Sequence, residues 1–178
     1  LYHCTNDARN GVYSDKAAAI IRNVLDTMET RYPMRSLAVI TPFRDSVKEL
    51  QKRFCTSDIE LNITIETIDR IQGMTVDYAV LYVPGRNPGF ALEDRRFNVA
   101  TSRSLSTTLI ISDIPLNEFH TVSPTVIRFI DNCDKYDGDT RVILNDRLVT
   151  TAIVEPSLHV EESPKQEFAN PSIGVNVV

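Results

Sequence analysis

The chain is short of several features that would narrow its function at once. No run approaches the roughly eighteen uninterrupted apolar residues of a membrane span, and no basic, apolar, small-residue leader opens it. Neither a membrane-spanning helix nor a secretion signal is expected, and the expectation is a soluble intracellular protein with no membrane partner, cytoplasmic or, in a eukaryote, nuclear. Cysteine is scarce and scattered: Cys4, Cys55 and Cys133 are odd in number, far apart and in no C-x-x-C spacing, and His3, His120 and His159 form no cluster with them. That argues against structural zinc and against a disulfide framework. An excess of positive charge is missing as well. The net charge is −5; residues 1–114 hold 14 Lys/Arg against 14 Asp/Glu, and residues 115–178 hold 5 against 10. A neutral body is not the footprint of a self-sufficient DNA-binding domain, so nucleic-acid contact would fall to a few residues on a groove. Finally, no G-x-x-x-x-G-K-[ST] occurs, and no Asp-Glu pair closes an apolar strand. The chain has no phosphate-cradling loop of its own.

What is present is enough apolar material for a core, 42% of 178 residues, arranged as alternating helices and buried strands. From Ser14 to Tyr32 the residues Ala17, Ile20, Ile21, Val24, Leu25 and Met28 recur at helical spacing behind Ser14, a capping residue. Pro33 ends that helix. SLAVITP then reads as a strand buried on both faces, and a second helix follows from about Asp45 to Phe54. An extended NITIET, a polar DRIQGMT loop and a buried YAVLYVP come next. GRNPGFA leads into a helix from about Leu92 to Ser104, and TLIISD closes the pattern as a strand. Such alternation predicts an α/β fold, a mostly parallel sheet with helices on both faces. Ligands in such sheets meet loops at the carboxyl ends of strands, which selects the loops after Ile40, after Thr67 and around Arg86.

Beyond Asp113 the pattern predicts a terminal helix from Thr125 to Tyr136 and a strand pair within RVILNDRLVTTAIV, turning at Asn145 and Asp146. One domain is expected over residues 1–150. Residues 151–178, acidic and without period, are expected to be a linker or disordered tail.

Three arginines crowd RRFNVATSRS. On that helix Arg96 and Arg103, seven apart, face the same side, while Phe97 and Ala100 turn to the sheet, so two guanidiniums are expected along one line. Arginine stays charged at any working pH and grips phosphate oxygens with a planar fork. The bland alternative is a surface network with Glu93 or Asp94. In Ile71-Gln72-Gly73-Met74-Thr75, a Gly directly after Gln allows close backbone approach to a ligand, and Thr75 adds a hydroxyl.

Three segments in this order resemble the second RecA-like domain, the C-terminal AAA domain, of superfamily 1 helicases, in the branch containing the nonsense-mediated-decay and Okazaki-fragment helicases. AVITPFRDSVKEL is similar to motif IV, TIETIDRIQGMTVDYAVL to motif V, and RRFNVATSRS to motif VI. The likeness covers about residues 14–113. It implies a RecA-like, P-loop-NTPase type of fold and an ATP hydrolase, with Arg103 as the catalytic arginine finger. It further implies ATP contacts from Gln72, Gly73, Thr75, Arg96 and Arg44, and nucleic-acid contacts from Thr67 and Thr41. Thr75 stands where motif V often has an acid, and Ser46 where motif IV usually has Gln. By the same resemblance ATP and Mg²⁺ are held mainly by an upstream RecA-like domain of the same polypeptide, consistent with a chain that begins at Leu1 as part of a longer one. The partner strand is single-stranded DNA or RNA, which the residues do not distinguish. A non-catalytic nucleic-acid-binding or regulatory module, and an unrelated nucleotidyl or phosphoryl transferase, are the competing readings.

Overall fold

A computed structural model describes residues 11–55, 62–114 and 122–133 in full, together with the backbone of short strands at 2–3, 136–137, 142–144 and 148–150. The elements run β1 (Tyr2–His3), α1 (Asp15–Arg31), β2 (Leu37–Thr41), α2 (Arg44–Phe54), β3 (Ile63–Thr67) and β4 (Val76–Val83). They continue with α3 (Pro88–Ala91), α4 (Asp94–Thr101), β5 (Ser104–Ser112), α5 (Pro124–Asp131), β6 (Tyr136–Asp137), β7 (Val142–Leu144) and β8 (Leu148–Thr150). Strands β1 to β6 form one sheet in the order β3-β2-β4-β5-β1-β6, every neighbouring pair parallel. Parallel strands need crossovers, and the helices between them supply a layer on each face. This is the expected α/β architecture, consistent with a RecA-like core.

Strand periodicity sorts the core into two halves. Leu37 and Val39 face one way and join α1 and α2 (Ile21, Leu25, Leu50, Phe54), whereas Ala38 and Ile40 face the other and join α4 and α5 (Phe97, Ala100, Val126, Ile130). Burial on both faces explains why β2 and β4 read as continuous apolar runs. α1 forms as its spacing predicts, with the Ser14 hydroxyl accepting from the Ala17 N–H (3.2 Å).

Four boundaries differ from the sequence expectation. α4 ends at Thr101 rather than Ser104, because the Arg103 carbonyl already accepts from the Val76 N–H (3.0 Å) and so belongs to the sheet ladder. β5 correspondingly begins at Ser104, four residues before the apolar run, with a register irregularity opposite Val76 to Tyr78. A four-residue helix, α3, occupies the Gly-Pro-rich loop; Asn87, in the left-handed region at φ 46°, caps it through its side chain. α5 stops at Asp131, and Tyr136, expected at the end of that helix, lies in β6 beside β1. The strand pair after residue 141 forms as an antiparallel ladder with Ile143 opposite Val149; its turn, and residues 151–178, lie outside the described residues. Among the described residues no helix is long and apolar enough to cross a membrane.

Candidate functional site

Three loops at the carboxyl ends of β2, β3 and β4 converge on a cleft of about 380 Å³, the three that the strand order selects. Arg44 enters it from the first turn of α2, Thr67 from the last residue of β3, and Arg70 and Arg86 from the loops that follow β3 and β4. The N-cap residue of α2, Phe43, makes no side-chain cap, so the first-turn N–H groups beside Arg44 receive no bond from it. Two aromatics that sequence reasoning passed over complete the wall. Phe43 and Phe90 stack with centroids 5.6 Å apart, the Arg86 guanidinium lies 5.8 Å from the Phe43 ring, and that of Arg96 lies 4.1 Å from the Phe90 ring. The signal was available in that both are large aromatics in carboxyl-end loops; in the structure Phe90 is exposed and Phe43 is half-buried against the core. Thr41 behaves differently, being fully buried in β2 with its hydroxyl unpaired.

Asp69 borders both this cleft and an adjoining hollow of about 230 Å³ lined also by Gln72, Arg95, Arg96 and Val99. Arg96 is neutralised here: Glu93 is 3.4 Å away and Asp69 4.0 Å, and Glu93 also accepts from the Arg96 backbone N–H (3.2 Å) as the cap of α4. The surface network weighed above therefore forms, for Arg96. Arg95 makes no ion pair among the described residues and borders the same hollow as exposed Gln72.

Arg103 stands apart from both. It lies past the C-cap Ser102, so the seven-residue helical spacing does not set its direction. Its Nε donates to the Val99 carbonyl (2.8 Å), Nη2 to the Ser102 hydroxyl (2.8 Å) and Nη1 to the Met74 carbonyl (3.4 Å). The last contact joins the arginine to the Gln72-Gly73 turn. Gly73 has φ 88° and open space where a Cβ would sit, so its requirement is conformational rather than steric. Met74 and Thr75 are exposed beside it. The segments resembling motifs V and VI thus meet at the starts of β4 and β5, while those resembling IV and V meet at the carboxyl-end cleft.

At the amino end of β4, Asp77 accepts from the Ser36 backbone N–H and hydroxyl (2.8 Å each) and from Arg35 (2.8 Å). These bonds, those from Ser36 foremost, hold its carboxyl down to about 2. Among the described residues no group of three or more His, Cys, Asp or Glu side chains could hold a metal ion.

The AAA domain family matches residues 3–114, more than half of the chain and every site residue just described. The chain belongs to that AAA domain family. This AAA domain is also similar to the "DNA polymerase alpha-associated DNA helicase A" of Saccharomyces cerevisiae, 29% identical over 108 residues. That match covers 57% of the chain and 16% of the yeast protein, so the AAA domain spans a small part of its relative's length. A helicase-associated, nucleotide-binding type of fold follows from these matches and from the parallel sheet.

Proposed function

We propose that this AAA domain is the C-terminal motor half of an ATP-dependent helicase of superfamily 1, completing an ATP site whose phosphate loop and Mg²⁺ ligands lie in another RecA-like domain of the same polypeptide. The observation that carries the reading is the setting of Arg103. Its guanidinium is anchored by three neutral oxygens and by no carboxylate among the described residues, so its charge is fixed in place yet uncancelled. Such a group is suited to stabilising the negative charge that spreads over a transferring γ-phosphoryl group, an effect worth roughly 10³ to 10⁵ in rate in nucleotide hydrolases. ATP is the substrate; the Gln72-Gly73-Met74-Thr75 turn adjoins Arg103 through the Met74 carbonyl, while Arg96 and Arg95 border the neighbouring hollow, where Arg95 makes no ion pair among the described residues. Arg44, with Arg70 and Arg86, adds positive charge at the carboxyl-end cleft.

Thr67, which lines the cleft, is assigned to the single strand; Thr41, fully buried in β2, is not exposed to meet it. The name of the yeast relative supports DNA as that strand, and the residues suit the backbone of DNA or RNA. Changes at the phosphate edge would reach the strand through the loop from Thr67 to Thr75, which touches both.

A second reading, a nucleic-acid-binding module that hydrolyses nothing, draws on the cleft itself, where Arg44, Arg70 and Arg86 surround an aromatic pair. ATP hydrolysis by the chain alone, compared with the full-length protein in the presence of single-stranded DNA, tests the division of labour. The chain alone should be inactive and the full-length protein active. Appreciable turnover by the chain alone would sink the two-domain reading.

A further inference from the structure

The turn that carries Arg103 contains an exposed residue with no role so far. The Ser102 hydroxyl donates to the Val99 carbonyl (3.2 Å) and accepts from Arg103 Nη2 (2.8 Å), while the same carbonyl accepts from Arg103 Nε (2.8 Å). Guanidinium, hydroxyl and carbonyl close a small ring at the carboxyl end of α4, where the helix dipole also favours a cation. The third contact, to the Met74 carbonyl, is longer at 3.4 Å. A guanidinium has five N–H donors in a rigid fork. Three are directed inward, leaving one on each terminal nitrogen for an anion.

We propose that Ser102 is a positioning residue for Arg103: its hydroxyl fixes the plane of the guanidinium so that the two remaining donors are presented to a phosphoryl group. The proposal rests on the reading of Arg103 as the arginine that meets ATP. A long, half-buried side chain without that anchor would have to be ordered in every catalytic cycle. A carboxylate at position 102 would order it equally well and cancel the charge; a hydroxyl orders it and leaves the charge intact. Ser102 is also the C-cap of α4, but that role uses its backbone N–H to the Asn98 carbonyl, which a side-chain substitution leaves in place.

The test is steady-state ATP hydrolysis by the full-length protein with single-stranded DNA, for Ser102→Ala, Ser102→Thr and Arg103→Ala, with melting temperatures alongside. Ser102→Ala should lower kcat by about ten- to hundredfold, the size of one charge-assisted hydrogen bond, with KM for ATP and melting temperature unchanged, and Ser102→Thr should restore the rate. Wild-type turnover by Ser102→Ala while Arg103→Ala is inactive overturns the role of Ser102 alone. A loss in Ser102→Ala that Thr does not rescue, or that follows a fall in melting temperature, overturns it as well by making the residue structural. If Arg103→Ala itself keeps wild-type turnover, the assignment of Arg103 fails and takes Ser102 with it.

Discussion

Arg96 and Arg103 carry the same charge in opposite surroundings, and that contrast decides which of them is available to a ligand. Arg96 is held by Glu93 and Asp69 and packed on Phe90, whereas Arg103 rests on carbonyl and hydroxyl oxygens. Sequence order singled out both residues; it could not separate them, because partners such as Asp69 and the Met74 carbonyl are distant in the chain. Thr41 presents the reverse case, a polar group with nothing to bind. Its hydroxyl is buried and unpaired, and an unsatisfied buried group of that kind costs about 1–3 kcal/mol. Thr41→Val should therefore raise the melting temperature by about 2–4 °C for each kcal/mol recovered in a chain of this size. A lowered melting temperature would mean that the hydroxyl is engaged after all.

At the scale of elements, the amino ends of β2 and β4 are tied by Asp77, which takes hydrogen bonds from Ser36 and Arg35. Its folded-state pKa of about 2 lies below the ordinary 3.8, so the tie contributes stability that is complete above about pH 4 and is lost as the pH falls toward 2. Denaturation measured from pH 7 to pH 2 should show Asp77→Asn less stable than the native chain at neutral pH, the gap closing across that window. A gap that stayed constant would remove the carboxylate from the account. Elements with a strong period were legible in advance: α1 from its apolar stripe behind Ser14, β2 and β4 from unbroken apolar runs. Others were not. β1 and β6 are two residues each, too short to carry a period, and exist only through pairing with each other and with β5. The first half of β5 is polar, with Leu105 75% exposed, so sheet pairing there leaves no hydrophobic signature and the helix before it looked longer than it is.

For the whole molecule, a body with balanced charge gathers Arg44, Arg70 and Arg86 at the carboxyl-end cleft. The hollow that shares Asp69 with the cleft adjoins it, and Arg103 sits apart, at the start of β4. The three carboxyl-end loops were legible from strand order alone. The aromatic stack was not, because Phe43 and Phe90 are 47 residues apart and meet only once α3 folds in the loop after β4. Membership of the AAA domain family agrees with a nucleotide-binding type of fold. The most direct measurement is ATP hydrolysis by the full-length protein carrying Arg103→Ala, with ATP binding followed on the same sample. Turnover should fall by roughly 10³-fold or more while ATP remains bound; turnover close to that of the native protein would contradict the account.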